Sequence, residues 1–233
     1  MRSKAYSKSK DMKLIIFDLD QTLVEVFQYH QKAFALMFQE VFHKPGKLSE
    51  TKPEGNTISE NITAVALTHN IPRKEIKKNI KQAISCLEKH FLRIFPKDAT
   101  SFVLPGVYPL LSNLKKYQLA LVTGSPERIG KIILQNTKLI NYFNLKFFST
   151  SSKTRKQLIR KAIQENKKRI KVKKKEILVV GDSIHDIDAA KPFKILAVAT
   201  GHTSMEELKK HKPTYLIKNF KDYRKAIRII ECM

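Results

Sequence analysis

The sequence has few cysteines, no tryptophan and no long apolar run. Its two cysteines, Cys86 and Cys232, supply neither a disulfide framework nor the spacing of a metal motif. We expect no membrane span, because no apolar run approaches the roughly 18 residues that a transmembrane helix needs. The basic, serine-rich start, residues 1–12, lacks the apolar stretch of a secretory signal and is interpreted as a flexible lead-in. These absences favour a protein of the reducing cytoplasm with no membrane partner.

Acidic residues are scarce relative to basic ones. The chain has 45 lysines and arginines against 21 aspartates and glutamates, a formal net charge of +24. Such an excess attracts phosphorylated molecules and makes nucleic acid a partner to consider. The densest basic run, residues 167–175, contains no aromatic residue for base stacking, so we interpret it as a solvated loop. A small phosphorylated substrate is therefore favoured over nucleic acid, which stays open as a partner.

The chain is long and apolar enough for one large domain with an insertion. It has 233 residues, of which 42% are hydrophobic. Residues 13–23 and 98–233 contain short apolar strands alternating with helices, which predicts a parallel sheet covered by helices on both faces. Residues 24–97 show helical patterns only, including a capping box at Thr57 and Glu60. The expected fold is a three-layer, Rossmann-like α/β core with an all-helical segment inserted after the first strand.

Two carboxylates end the first predicted strand. The buried run Leu14 to Phe17 is followed by Asp18 and Asp20, and Thr22 comes two residues later. In open α/β sheets the carboxyl ends of the strands carry the ligand site. Two acids crowded at that edge need a counter-cation, most simply Mg²⁺, which prefers oxygen ligands. Aspartates are also common in turns, so this stretch alone does not establish a site.

A candidate anion site follows the second predicted strand. The strand is expected to end at Thr123, with Ser125 capping the next helix and Pro126 in its first turn. A hydroxyl and free backbone amides at a helix N-terminus bind anions, and Gly124 lets the backbone approach a phosphate closely. An ordinary helix start would show the same pattern.

Further candidates lie after the later strands. Asp182 and Asp186 are four residues apart at the start of a predicted helix, so both can face one metal ion. Lys153, in front of another helix, can reach the site and balance the negative charge, with Lys156 as a competitor for this role. His185, between the two acids, is expected to be a surface residue.

With these residues in order, the sequence resembles the haloacid dehalogenase superfamily, close to its phosphoglycolate phosphatase-like branch. The segment Asp18-Leu19-Asp20-Gln21-Thr22 matches the first motif of that superfamily, Thr123 the second and Lys153 the third. Gly181-Asp182 with Asp186 matches the fourth. The resemblance covers nearly the whole chain, and it identifies residues 24–97 as the helical cap domain of such enzymes by position and helicity.

The resemblance implies a Mg²⁺-dependent phosphomonoester hydrolase with an aspartyl-phosphate intermediate. Asp18 would be the nucleophile and Asp20 the general acid and base. Mg²⁺ would be bound by the Asp18 carboxylate, the Asp20 backbone carbonyl and Asp182, with Asp186 supporting. The implied substrate is a small phosphorylated metabolite: phosphoglycolate-like, a sugar phosphate or a nucleotide.

The same resemblance assigns the phosphate contacts. Thr123 and the Gly124 amide would hold phosphate oxygens, and Lys153 would stabilise them and take part in catalysis. The sequence departs from the family pattern at Gln21, where glycine is usual, and after Lys153, where proline is usual.

Two alternatives stay open on the same residues. A phosphosugar mutase of the superfamily uses both aspartates and the same metal, although Thr22 favours hydrolysis. A phosphatase acting on nucleic-acid ends would account for the charge of +24. The sequence does not distinguish a monomer from a dimer.

Overall fold

The computed structural model of the chain describes residues 12–51, 53, 55–151 and 154–233. The predicted lead-in, apart from Met12, and the candidate Lys153 lie outside these residues. Within the described ranges, no helix has the length and apolar character that crossing a membrane requires.

One parallel sheet forms the centre of the described structure. Its strands are β1 (Leu14–Phe17), β2 (Gln118–Val122), β3 (Leu145–Phe147), β4 (Ile177–Gly181), β5 (Lys194–Val198) and β6 (Tyr215–Ile217). Their order across the sheet is β3-β2-β1-β4-β5-β6, so the winding direction reverses on either side of β1. In register, Phe17 of β1 is paired with Leu121 of β2 and Val180 of β4. The residues that follow these strands therefore meet at the crevice where ligands bind in such sheets.

A helical segment connects β1 to β2, as the sequence predicts. It contains α1 (Phe27–Phe42), α2 (Ile58–Thr68) and α3 (Arg73–Ile94), and no strand lies among its described residues. The predicted capping box starts α2: the Thr57 hydroxyl accepts from the Glu60 amide, and the Glu60 carboxylate accepts from the Thr57 amide at 2.7 Å. Helices α1 and α3 pack through aromatic side chains, with 4.8 Å between the ring centroids of His30 and Phe91.

The remaining helices cover the two faces of the sheet. They are α4 (Val107–Asn113), α5 (Glu127–Asn136), α6 (Arg155–Lys167), α7 (Ile184–Ala190), α8 (Met205–Lys210) and α9 (Tyr223–Glu231). Side chains alternate along β1, so Ile15 and Phe17 enter one core cluster while Leu14 and Ile16 enter the other. Both faces are apolar because a parallel sheet with helical crossovers is buried on both sides. The three-layer α/β fold is thus confirmed.

The basic run 167–175 lies between α6 and β4 and is largely exposed, as predicted. Val172 is its one buried side chain and packs in the core cluster beneath α6. The lysines and arginines around it are exposed, so water can solvate so many like charges within one segment.

Candidate active site

Asp18 follows the last residue of the central strand and is buried. Its backbone amide donates to the Val180 carbonyl of β4 at 2.9 Å, which extends the ladder by one residue and fixes the side chain at the crevice. Only 6% of Asp18 is exposed. Because β1 lies between β2 and β4, Asp18 has neighbours from both halves of the sheet.

Asp182 and Asp186 lie against Asp18, so the structure brings three of the four candidate acids together. One carboxylate oxygen from each lies within 4.8 Å of the others, and all three residues are buried. Ser183 caps α7, and its hydroxyl donates to the Asp186 carboxylate at 2.6 Å, which orients that side chain. Three buried carboxylates with converging oxygens are a ligand set that suits a hard cation such as Mg²⁺.

Thr22 and Gly201 position Asp182. The Thr22 hydroxyl donates to Asp182 Oδ1 at 2.8 Å and lies 3.4 Å from Asp18 Oδ2. The loop after β5 approaches so closely that a Cβ on Gly201 would lie 1.9 Å from Asp182 Oδ2. A side chain at residue 201 would therefore displace the carboxylate from the cluster.

Burial and mutual repulsion raise the pKa values of Asp18 and Asp182. For Asp18, burial has the largest effect and the carboxylates of Asp186 and Asp20 add to it, which raises the pKa to about 7 although Arg155 acts in the opposite direction. The pKa of Asp182 is raised well above its usual value, first by burial and then by Asp186 and Asp18. A cation beside these groups would remove that cost, since it favours their charged forms.

Arg155 reaches into this cluster, and the sequence did not reveal it. Thr154 caps α6, which places Arg155 in the first turn with its side chain directed to the strand ends. The guanidinium Nη1 donates to Asp18 Oδ1 and, at 2.8 Å, to the Val122 carbonyl. Its Nε donates to the Gly55 carbonyl at 3.2 Å and lies 3.5 Å from Asp186 Oδ1. Burial would lower the pKa of Arg155, but the surrounding carboxylates outweigh burial and keep the guanidinium charged.

The structure does not show either candidate lysine, Lys153 or Lys156, at the acidic cluster. Lys153 lies outside the described residues, and Lys156 is exposed on α6. Arg155 stands between them in a chain with 45 lysines and arginines, so no feature of the sequence singles it out.

Asp20 occupies a different environment, on the side of the crevice that faces α1. His30 Nε2 lies 2.9 Å from Asp20 Oδ1, and the Ser125 hydroxyl donates to Asp20 Oδ2 at 3.0 Å. Burial alone would raise the pKa of Asp20, but the charge and hydrogen bond of His30, with that of Ser125, outweigh it and lower the pKa. His30 lies in the segment that the sequence predicts to be helical, and its position ten residues after Asp20 matches no motif.

The prediction that Ser125 caps α5 is wrong. The helix begins at Glu127, Pro126 occupies the capping position without a side-chain cap, and Ser125 turns towards Asp20 instead. The Ser125 backbone amide donates to the Thr123 hydroxyl at 3.1 Å.

Gly124 is required by a contact that the sequence did not predict. A Cβ at this residue would lie 1.9 Å from the Asn56 carbonyl, and the Ile58 amide donates to the Gly124 carbonyl at 3.0 Å. The strand end therefore docks directly on the N-terminus of α2. Thr123 next to it is buried.

These residues surround one pocket between the sheet edge and the helical segment. Its cavity volume is about 80 Å³. Asp18, Asp20, Arg155 and Asp182 form its charged floor, and the helical segment contributes apolar and amide side chains. Contributors from that side include Phe27, Leu48, Asn56, Ile58 and Asn61. A few converging polar groups beside an apolar wall are typical of a site for a small molecule.

Comparison with known proteins places the chain in a family. The model of the haloacid dehalogenase-like hydrolases matches residues 12–194. Phosphoglycolate phosphatase 1 of Pseudomonas aeruginosa is 26% identical over 215 residues, covering 90% of this chain and 78% of that protein. A phosphoglycolate phosphatase of Aliivibrio fischeri is 26% identical over 218 residues, covering 91% of this chain and 95% of that protein.

Solved structures share the fold at lower identity. A hydrolase from Pseudomonas syringae superposes with a TM-score of 0.74 at 19% identity, covering 94% of this chain and 99% of the other. A beta-phosphoglucomutase from Clostridium difficile gives a TM-score of 0.71 at 17% identity, covering 93% and 99%. The chain therefore belongs to the haloacid dehalogenase-like hydrolase family and is an enzyme of its phosphatase type, as the motifs predicted.

Proposed function

We propose that this enzyme hydrolyses a small phosphomonoester through an aspartyl-phosphate intermediate, with Mg²⁺ as cofactor, in the cytoplasm. The observation that carries the proposal is the pair formed by Asp18 and Asp20 at the end of β1. Asp18 is buried in an acidic cluster, and Asp20 is hydrogen-bonded to His30 at the pocket wall. Asp18 is thus placed to act as the nucleophile, and Asp20, two residues later, as the group that transfers the proton.

Two chemical steps follow from this division of roles. Asp18 attacks phosphorus through a carboxylate oxygen, the bond from phosphorus to the leaving oxygen breaks, and Asp20 donates a proton to that oxygen. In the second step Asp20 takes a proton from water, the water oxygen attacks phosphorus, and the bond to Asp18 breaks. Asp20 and His30 are 2.9 Å apart, so the pair can hold one shared proton between the steps.

Asp18, Asp182, Asp186 and the Asp20 backbone carbonyl would hold the Mg²⁺ ion. Bound there, the ion would reduce the repulsion between the nucleophile and the phosphate and would stabilise the charge that develops during transfer. The fit rests on the converging buried carboxylates and on the raised pKa values of Asp18 and Asp182, since a nearby cation favours the charged forms of such groups.

Thr123, the Gly124 amide and Lys153 would bind the phosphate oxygens. Arg155 supports this assignment, because its buried, positively charged guanidinium pairs with Asp18 at the wall of the pocket. Its bonds to Val122 and Gly55 fix the guanidinium in place, so we assign Arg155 the role of positioning the nucleophile.

The helical insertion, residues 24–97, would act as the cap that selects the leaving group. The pocket has charged groups on its sheet side and mixed apolar and amide groups on the cap side. Such a division suits a phosphate bound at the sheet and a compact organic portion bound under the cap. A phosphoglycolate-like acid, a sugar phosphate or a nucleotide has this combination of a phosphate and an organic portion.

The proposal is tested with a panel of phosphorylated metabolites and an aryl phosphate, assayed with Mg²⁺ and after chelation. We expect phosphate release that needs Mg²⁺ and a phosphorylated Asp18 peptide in enzyme that is acid-quenched during turnover. Mg²⁺-dependent release without phosphorylation of that peptide would contradict the intermediate.

The panel also separates the alternatives. Transfer of phosphate to a sugar phosphate in preference to water would identify a mutase. Preference for terminal phosphates on DNA or RNA, with a steep dependence on salt, would identify a nucleic-acid-end phosphatase.

A further inference from the structure

A second group of metal-ligating side chains lies in the helical insertion, away from the acidic cluster. Glu40 of α1 meets Cys86 and His90 of α3, and one ligand atom of each lies within 4.8 Å of the others. Cys86 and His90 are four residues apart, so they share one face of α3. Neither the family motifs nor the proposed reaction uses these residues.

The contacts within the group converge on the Glu40 carboxylate. His90 Nε2 lies 2.7 Å from Glu40 Oε2, and the Cys86 thiol is hydrogen-bonded to the same carboxylate. Cys86 and His90 are buried, with 7% and 6% of each residue exposed. The helices α1 and α3 therefore hold an imidazole, a thiol and a carboxylate around one point.

The histidine is incompletely satisfied as it stands. Its Nδ1 is buried and has no hydrogen-bond partner among the described residues. The ring nitrogen that faces Glu40 is Nε2. A cation between these two side chains would therefore be bound through Nε2, and Nδ1 lies on the other side of the ring.

We propose that Glu40, Cys86 and His90 form a second metal site, which binds a borderline divalent cation of the Zn²⁺ type and joins α1 to α3. A thiolate with an imidazole and a carboxylate is a donor set for such cations, whereas Mg²⁺ prefers oxygen ligands alone. Binding displaces the thiol proton to solvent and leaves a sulfur–metal bond, so no oxidant or reductant is required.

The geometry needs only a small adjustment. Zinc–ligand bonds near 2.1 Å in a tetrahedral arrangement separate a nitrogen and an oxygen ligand by about 3.4 Å. The 2.7 Å between Glu40 and His90 must therefore widen by less than 1 Å. The Glu40 side chain is 49% exposed and free to make that movement.

Lys89 is the group that a cation must displace. Its ammonium lies 3.6 Å from Glu40 Oε1, but the side chain is 67% exposed and can swing into solvent. The site borders an open groove of about 580 Å³, whose walls include Gln82, Lys89 and Arg128. Three protein ligands beside an open groove leave the fourth coordination position to water or to an incoming ligand.

The site joins the helix that supplies His30 to the helix that packs against it. A bound cation would stabilise this α1–α3 contact, because a ligand that binds only the folded state raises its stability. Zn²⁺ is therefore expected to raise the unfolding temperature of the full-length protein even when excess Mg²⁺ saturates the oxygen-ligand site.

The experiment uses Co²⁺ and Zn²⁺, each added alone to metal-free full-length protein in excess Mg²⁺. Co²⁺ is expected to produce thiolate-to-metal charge-transfer absorption, which the acidic cluster cannot produce because it contains no sulfur. Dialysis and elemental analysis should find one tightly held Zn²⁺ per chain. Changing groups that only support a ligand costs about 10- to 100-fold in affinity, so Cys86→Ser should weaken Zn²⁺ binding at least about 100-fold.

Two further variants keep the result interpretable. Cys232→Ser removes the other, exposed cysteine and should leave the absorption and the Zn²⁺ content unchanged. Glu40→Gln alters an exposed residue, so the variant should fold, and it should weaken Zn²⁺ binding while keeping a hydrogen bond to His90. Absence of the charge-transfer band in the wild type, or a band that survives Cys86→Ser, would overturn the proposal. Neither result depends on whether the enzyme hydrolyses phosphomonoesters.

Discussion

Asp18 and Asp20 are two residues apart on the chain, yet their surroundings shift their pKa values in opposite directions. Asp18 faces two further carboxylates and a buried arginine, and its pKa is raised to about 7. Asp20 faces His30 and Ser125, and its pKa is lowered. The comparison shows that identical side chains acquire different roles from the elements that pack on them. A cation would favour the charged form of Asp18, whereas His30 and Ser125 already favour the charged form of Asp20.

The largest expected effect comes from removing the carboxylate on the Asp18 side. Asp18→Asn keeps the shape and removes the nucleophile, so turnover of an aryl phosphate should fall by at least about 10⁴-fold. Steady-state assays with Mg²⁺ measure this loss. Asp188→Asn is the matched control, since Asp188 is exposed, pairs with Lys191 and should tolerate the change. Wild-type turnover in the Asp18 variant would contradict the assignment.

Removing the other carboxylate should have a smaller effect that depends on the substrate. Asp20→Asn abolishes proton transfer, which is typically worth about 10²- to 10⁴-fold, and leaves the backbone carbonyl intact. The loss should be smaller for nitrophenyl phosphate than for an alkyl phosphate, because nitrophenolate leaves without a proton. Mg²⁺ affinity, measured by calorimetry, should change little. An equal loss for both substrates, or rescue by high Mg²⁺, would argue against the acid–base role.

The raised pKa of Asp18 predicts how the metal-free protein responds to pH. A carboxyl group with a pKa raised in the folded state stabilises folding at low pH and loses that contribution as the pH rises through the folded value. Stability should therefore decline between pH 4 and about 7, by about 4 kcal/mol at most from Asp18. Denaturant titrations at several pH values measure this. Mg²⁺ should offset the decline near pH 7, and Asp18→Asn should flatten it.

His30 tests the opposite shift at Asp20. His30→Gln keeps a hydrogen-bonding side chain and removes the positive charge, so the pKa of Asp20 should rise and the acidic limb of the pH–rate profile should move to higher pH. A change of one pKa unit corresponds to about 1.4 kcal/mol, or about a tenfold change. His69→Gln is the control, because His69 pairs with Glu50 at 2.7 Å outside the pocket. Identical profiles for the two variants would show that His30 does not control Asp20.

The smallest expected effect concerns the turn that separates the two environments. Gln21 has a φ of 61°, in the left-handed region that favours glycine, and it is buried. Gln21→Gly relieves backbone strain of about 1 to 2 kcal/mol and adds some entropy cost in the unfolded chain, so the net gain should be below about 1 kcal/mol. Thermal unfolding measures the gain. A loss of stability would show that the glutamine side chain contributes more than the strain costs.

Much of the fold follows from local patterns in the sequence. Buried runs such as Leu14 to Phe17 are apolar on both faces, which predicts strands of a helix-covered parallel sheet, and the structure confirms it. The capping box at Thr57 predicts the start of α2 for the same local reason, since its hydrogen bonds join residues three apart. The predicted cap after β2 was wrong, because the Ser125 hydroxyl donates to Asp20 across the crevice instead of capping α5.

Local patterns are enough to predict which acids stand at the strand ends, because periodicity locates those ends and parallel strands bring them to one edge. The groups that meet these acids depend on how distant segments pack. Arg155 reaches Asp18 across 137 residues of sequence, and His30 reaches Asp20 because α1 folds back over the crevice. The same holds for Glu40 and His90, which are 50 residues apart and meet where α1 packs on α3. Such contacts depend on the packing of whole elements, and no short pattern in the chain encodes that packing.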